Sequence, residues 1–323
     1  MKKLLSMVFL LGILVACLEA QDTANPQNPA GTTAAQAPGE TPRIRVRVEL
    51  VNVLFTATDR KNRLVLNLTK DDVRVAEDNK PQIIRFFSRE SDLPLRIGIL
   101  IDTSNSIRER LRFEQEAAID FLNTTLRPGK DLAFVVAFDV EPVLLQDYTD
   151  NMEKLSTAIR SLQAGGATGL YDTMYFAAKG KMLFFPPPEP YLRRVMIVIS
   201  DGQDNSSEHT RDEALAMAQR GEVTIFAIST NRPNLETGDK QGKGDKVLKF
   251  LAEETGGRAF FPFSVSDLAT NFQEIARELR SQYSLAYVST NTAHDGTFRT
   301  ITIQPREKSM RVRAKSGYFA PSQ

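Results

Sequence analysis

Short runs of consecutive apolar residues, separated by segments of helical periodicity, constrain this chain most. Ile97-Gly98-Ile99-Leu100-Ile101, Leu132 to Phe138, Val195 to Ile199 and Val223 to Ile228 are too continuous for half-exposed strands, so they read as strands buried on both faces. Between them Ile107, Leu111, Ala118, Phe121 and Leu122 recur at mostly helical spacing, with Glu114 as the polar exception. Met152, Leu155, Ile159 and Leu162 mark a second helix. Leu170 to Leu183 marks a third, which the Pro-rich stretch Phe184 to Pro190 must end. Thr210-Arg211-Asp212-Glu213 has the form of a capping box for a helix stopping at Gly221. Val247, Leu248 and Leu251 lie on a helix halted by Gly256-Gly257, and Leu268, Phe272, Ile275, Ala276 and Leu279 line a last one. Val143 to Leu145 reads as a short antiparallel strand after a turn near Glu141-Pro142, and Ala259 to Phe263 as another short strand. Such alternation folds as α/β: a Rossmann-like, doubly wound, mainly parallel sheet with helices on both faces. Sheets of this kind bind ligands beyond the carboxyl ends of the strands, where strand order reverses. The residues just after Ile101 and Ile199 are therefore the first candidates.

The flanks have a different period. Ile44, Val46, Val48 and Leu50 alternate with Arg45, Arg47 and Glu49; a turn is expected at Asp59-Arg60-Lys61-Asn62, with further short strands around Val65, Val73, Val75, Ile83, Ile84 and Phe86. Tyr283 to Ser289, Phe298 to Gln304 and Met310 to Ala314 alternate in the same way, with a turn signal at Asp295-Gly296. Neither flank has enough strands to bury a core alone. Residues 43–90 and 283–323 are therefore expected to pack together as a smaller β-sandwich-like unit beside a central domain at 91–282. Residues 21–42, rich in Ala, Pro, Thr, Gln and Gly, read as a disordered linker. Residues 1–20, with Lys2, Lys3 and the apolar run Leu4 to Val15, read as an export signal peptide. Two processing routes stay open: Leu14-Val15-Ala16-Cys17 resembles a lipobox with lipidation at Cys17, and Leu18-Glu19-Ala20 before Gln21 resembles an ordinary signal-peptidase site, with Leu where a smaller residue is usual. The expected location is the cell envelope, periplasmic or outer-surface and lipid-anchored, or otherwise secretion.

Composition removes several functions. A net charge of +1 gives no electrostatic reason to expect nucleic acid or an acidic membrane surface as partner, which leaves a lipid anchor as the membrane contact. Two histidines, His209 and His294, and a single cysteine argue against a His/Cys zinc site and an internal disulfide. Gly238 to Asp245 lacks the spacing of a phosphate-binding loop and reads as a mobile loop.

Three segments carry oxygen ligands in the right places. Asp102-Thr103-Ser104-Asn105-Ser106 follows the first buried strand, Ser200-Asp201-Gly202 follows a later one, and Gly165-Gly166-Ala167-Thr168-Gly169-Leu170-Tyr171-Asp172 opens a helix between them. Taken singly, each has a plain reading: Ser104 or Ser106 as a helix cap, Asp201-Gly202 as a turn, Thr168 as a loop residue. In this order at strand ends, they resemble the metal-ion-dependent adhesion site of von Willebrand factor type A domains. The strand and helix order from Leu95 to Ser281 is similar to that family, over a little more than half the chain. The Gly-rich stretch, the β-rich flanks and Gly317-Tyr318-Phe319 further resemble a subgroup of type A proteins among Acidobacteria-type exported proteins. The resemblance implies a metal set of Asp102, Ser104, Ser106, Thr168 and Asp201. In it Ser104, Ser106 and Thr168 approach the ion directly, and Asp102 and Asp201 act directly or through water. An all-oxygen set with few carboxylates suits Mg²⁺, with Mn²⁺ or Ca²⁺ as alternatives. Asp172 is read as a support for its loop, and Asp139, Asp204 and Asn205 as solvated rim residues.

The resulting expectation is a metal-dependent protein-binding or adhesion module and not an enzyme, with Mg²⁺ bridging to an Asp or Glu carboxylate of a protein partner. A structural envelope component with a stabilising metal is the alternative. A metal-assisted phosphohydrolase is a further one, but DxSxS offers Asp102 as a nucleophile with no second acid at the next alternate position.

Overall fold

Apolar continuity and polar alternation sort the strands into one mainly parallel and two antiparallel sheets. The computed structural model describes residues 50–104, 108, 110–184, 192–231 and 242–322, all within one compact unit, Val48–Gln323. The described chain opens with four strands: β1 (Leu50–Thr58), β2 (Val73–Glu77), β3 (Lys80–Gln82) and β4 (Ile84–Glu90). It then alternates through β5 (Leu95–Asp102), α1 (Leu111–Thr125), β6 (Leu132–Phe138), β7 (Pro142–Thr149), α2 (Met152–Arg160), α3 (Leu170–Phe176), β8 (Arg193–Ser200), α4 (Arg211–Arg220), β9 (Val223–Ser229), α5 (Lys243–Glu254), β10 (Ala259–Phe260) and α6 (Val265–Leu279). Four strands close it: β11 (Gln282–Val288), β12 (Phe298–Pro305), β13 (Arg311–Ala314) and β14 (Gly317–Phe319).

The central sheet has the order β10-β9-β8-β5-β6-β7, parallel except for β7, which runs antiparallel to β6. Every residue of β5 is buried, as its uninterrupted apolar run requires. Helices cover both faces. On one, α6 lays down Leu268, Phe272, Ile275 and Leu279 at helical spacing against the sheet and α1, with the Phe121 and Phe272 rings 5.2 Å apart. On the other, Leu170 and Met174 of α3, Ala214 and Ala218 of α4, and Leu248 and Leu251 of α5 pack on Phe134, Met196 and Val198. The Thr210 capping box opens α4 as its sequence predicts, and Ser264 with Asp267 makes another at α6.

The flanks form the smaller β unit. One sheet has the order β13-β1-β11-β4 and the other β14-β12-β2-β3, so each mixes strands from both ends of the chain. Between them lies a core of Val53, Phe55, Val73, Val75, Leu285 and Ile303, in which Tyr283 stacks on Phe55 at 5.3 Å. Helix α6 leads into this unit with two residues to spare: it ends at Leu279 and β11 begins at Gln282.

Several sequence boundaries move. The alternation at 44–49 lies outside the described residues; the strand that enters the sheet is β1, whose apolar residues Val53, Phe55 and Ala57 are buried. Ile107 also lies outside them, and α1 begins at Leu111. The third helix is α-helical to Phe176 and then widens to π geometry over Ala177–Leu183, where Gly180 weakens the tighter winding. Helix α5 starts at Lys243 instead of Val247, which takes Asp245 out of the predicted loop and buries it. Strand β10 is confined to Ala259–Phe260; Phe260 is core, but Phe263 is 66% exposed.

Candidate metal centre

Strand order reverses at β5, which has β6 on one side and β8 on the other. This is the switch point at which a doubly wound sheet presents a ligand crevice, and Asp102 is the last residue of β5. Its carboxylate is fully buried. Oδ1 accepts the Ser104 N–H at 2.9 Å, and Oδ2 accepts the Ser200 hydroxyl at 2.7 Å, tying the end of β5 to the end of β8. The next residue, Thr103, donates its N–H (2.8 Å) and its hydroxyl (3.0 Å) to the Phe138 carbonyl at the end of β6. Its own carbonyl accepts the Gly165 N–H at 2.6 Å, which brings the Gly-rich loop onto the β5 turn.

Thr168 is held from the loop that follows β8. Its N–H donates to Asn205 Oδ1 at 2.9 Å, and its carbonyl accepts the N–H groups of Asn205 and Ser206 at 3.0 and 3.2 Å. Asp204 Oδ2 accepts the Tyr171 N–H at 3.0 Å and the Ser207 hydroxyl at 2.6 Å. Asp172 completes the clamp. Its Oδ2 accepts the Glu208 N–H at 2.9 Å, and its Oδ1 accepts the His209 N–H at 2.8 Å and lies 2.7 Å from His209 Nδ1. Burial raises the Asp172 carboxyl, but these donors outweigh it and hold the group below its ordinary value. Asp172 thus supports its loop, as expected. His209 is part of the clamp: its ring stacks on Tyr175 at 3.8 Å.

Asp201 is 7% exposed and accepts the Gln203 N–H at 2.9 Å. Its carbonyl is gripped by the Asn231 amide at 2.7 Å, and the same amide reaches Asp245 Oδ1 at 2.8 Å. Asp245 also accepts the Ser229 hydroxyl at 2.6 Å from the first turn of α5, where a carboxylate complements the helix dipole. Gly202 makes this packing possible. Its φ is +74°, and a Cβ there would stand 2.3 Å from the Gly244 carbonyl oxygen.

Asp102, Ser104, Thr168 and Asp201 are all nearly or fully buried at this end of the sheet, on segments tied to one another by the bonds above. Ser106 and Cys17 lie outside the described residues. The donor set is oxygen throughout and pairs hydroxyls with two carboxylates; among the described residues no group of three or more His, Cys, Asp or Glu is placed to hold a metal. Burial pushes the Asp102 carboxyl up, hydrogen bonds from Ser104 and Ser200 pull it down, and the charge of Asp201 pushes it up again. Two carboxylates near each other in a buried site with hydroxyl neighbours suit a small hard dication.

Residues 97–203, from β5 through the loop after β8, match the family model of the von Willebrand factor type A domain. This chain carries a von Willebrand factor type A domain. A UPF0353 protein of Mycolicibacterium gilvum is 28% identical over 201 residues, which are 55% of this chain and 59% of that protein. The alignment thus spans little more than half the length of that curated relative. Similar solved structures include an aerotolerance-related membrane protein from Bacteroides fragilis, at 16% identity and a TM-score of 0.47 over 57% of this chain and 98% of that one. Proximal thread matrix protein 1 from the mussel byssus, in a form with a zinc-occupied MIDAS motif, has 16% identity and a TM-score of 0.48 over 63% and 49%.

Within the type A domain, the sequence reading misplaced the residues that hold the loops. Asn205 and Asp204, read as solvated rim, fix Thr168 and Tyr171. Asp139 accepts the Gly169 N–H on its carbonyl at 2.5 Å, and its side chain lies against Gly166, whose φ is +85°. Ser200, Asn231 and Asp245 were given no role. Ser200 was legible, since it directly precedes Asp201. Asn231 and Asp245 were not, because their partners lie across strand ends.

Proposed function

We propose that the type A domain is a metal-dependent protein-binding module at the cell envelope, in which Asp102, Ser104, Ser106, Thr168 and Asp201 hold Mg²⁺. One observation carries the reading: the carboxylate of Asp102, buried at the switch point, is bonded to Ser200 of the S-D-G segment while its neighbour Thr103 is bonded to the Gly-rich loop. Three separate motifs thereby share one crevice. A bound Mg²⁺ would supply an electrophilic centre able to take a carboxylate from a partner protein. The chain's own part is to present neutral hydroxyls, which leave the ion's charge little reduced, and to keep Asp102 and Asp201 fixed by second hydrogen bonds. The envelope location rests on the export signal read at residues 1–20. Among the described residues no helix is long and apolar enough to cross a membrane.

Calorimetric titration with Mg²⁺ and with Mn²⁺ tests the site. Saturable binding is expected for the wild type, with a loss of at least about 100-fold in Asp102→Ala and Asp201→Ala; equal binding in all three would remove these residues from any metal site. Asn205→Ala is expected to weaken binding about tenfold, because it frees the Thr168 N–H and loosens the turn that presents the hydroxyl. Capture of envelope proteins in Mg²⁺ against EDTA tests the bridging role. Retention of the same proteins under both conditions would sink it. A metal that raises thermal stability with no metal-dependent capture would instead favour a stabilising ion.

A further inference from the structure

The amino ends of the central strands lie far from the metal crevice in the sheet, and there the structure leaves a cavity of about 500 Å³. That volume falls in the range of small-molecule sites, about 300–1,000 Å³. One wall is the outer face of the flanking sheet β13-β1-β11-β4, turned away from the Phe55 core. It is apolar at Leu50, Leu54, Phe86 and Ala286, and Leu50 and Phe86 remain 46% and 62% exposed. The facing wall is the start of β8, with Leu192, Arg193 and Arg194.

The polar groups of this cavity are unevenly satisfied. Its lysine, Lys315, is paired with Glu222 at 3.1 Å, and Glu90 accepts the Ser88 hydroxyl at 2.5 Å. The two arginines have no such partner: among the described residues no carboxylate lies within ion-pair distance of either. Arg193 is 2% exposed and donates to the carbonyls of Leu279 and Glu90, while its Nε–H has no acceptor among the described residues. Arg194 donates Nε–H to the Met182 carbonyl, its terminal nitrogens have no hydrogen-bond acceptor among the described residues, and its charge acts on Glu222 from beyond ion-pair distance. Gln282 Oε1, also buried at this cavity, accepts no hydrogen bond among the described residues. A buried guanidinium is costly: burial followed by the nearby Arg280 pulls Arg193 down to about 10, against Glu90 and Glu278, which act on it from beyond ion-pair distance and raise it.

We propose that this cavity binds a small amphipathic carboxylate, with its head on Arg193 and Arg194 and its apolar body along Leu50, Leu54, Phe86 and Ala286. The planar guanidinium matches a carboxylate in shape as well as charge. An apolar body would cover side chains that the fold leaves partly open to water. The site is independent of the metal centre, which lies at the other end of β5 and β8.

Calorimetry on the full chain with dodecanoate, dodecanol and dodecylammonium, each below its micelle concentration, tests the assignment. Dodecanoate is expected to bind saturably at one site and at least tenfold more tightly than the other two. Arg193 also holds the end of α6, so Arg194 is the cation to change. Arg194→Gln should lower dodecanoate affinity about tenfold. Ser284→Trp, which fills the cavity from the sheet face, should abolish binding with the far-ultraviolet circular dichroism and the Mg²⁺ titration unchanged. No saturable binding, equal affinity for dodecylammonium, or full binding by Ser284→Trp would each overturn the proposal.

Discussion

Replacing Asp131 with alanine is expected to cost about 3–5 kcal/mol of folding free energy at neutral pH. Its side chain is fully buried just before β6 and accepts hydrogen bonds from three parts of the chain. The N–H of Leu95, at the start of β5, donates at 2.8 Å. Arg127 donates its N–H and Nε–H, both at 2.9 Å, and Arg280, just past α6, donates at 2.6 Å. Alanine would leave two guanidiniums and two amides facing a gap. Burial alone would raise the Asp131 carboxyl; the donors, Arg127 first, overcome it and hold the group at about 2. A pKa depressed in the fold contributes stability above the unfolded value of 3.8 and loses it as pH falls toward the folded value. About 2 kcal/mol of the wild type's stability should therefore disappear between about pH 4 and pH 2. Urea denaturation of both proteins should show a gap that is widest near pH 7 and narrows on acidification. A gap under about 1 kcal/mol at pH 7 would show that the Asp131 network is not holding these strand ends.

Glu114→Gln should act in the opposite direction. Glu114 sits on the buried side of α1, its Oε2 has no hydrogen-bond partner among the described residues, and burial pushes its carboxyl from 4.5 to about 8. Arg110 lowers it and the charge of Asp102 raises it further, both by less than burial does. Between those two values the folded protein holds a proton that the unfolded chain has released. Stability then falls with rising pH by about 1.4 kcal/mol per unit. Glutamine keeps the shape and removes the titration. In metal-free buffer the two proteins should be within about 1 kcal/mol near pH 4.5, and the variant should be about 3–5 kcal/mol more stable at pH 8. Parallel stability profiles across that interval would show that Glu114 ionises freely in the fold.

The central architecture was legible because burial on both faces leaves an unmistakable mark. Ile97 to Ile101 and Val195 to Ile199 read as inner strands by their length and β-branched content, and the switch point beside them followed from topology. The places of Asp102 and Asp201 were legible because they lie just after those runs, and that of Thr168 because it lies in a Gly-rich stretch that opens a helix. What failed to show was contact between distant segments. Asn205 looked like a solvated loop residue because its carboxamide acts on a backbone group 37 positions away. Asp245 looked like loop because the polar residues around it gave no helical periodicity, and its burial depends on Ser229 and Asn231. Glu114 stood out as a break in an apolar stripe, but that its Oε2 has no hydrogen-bond partner among the described residues depends on what surrounds α1 in the fold.

The joint between α6 and β11 has a mechanical meaning. Arg280 is bonded to Asp131 and to the Thr125 carbonyl, and Glu278, two residues earlier, is bonded to Thr56 of β1 and Arg313 of β13. Helix and strand therefore have no slack between them. Tension applied along the closing strands would be passed to the helix through these bonds, and an axial slip of that helix would have to break them or carry β1 and β13 with it.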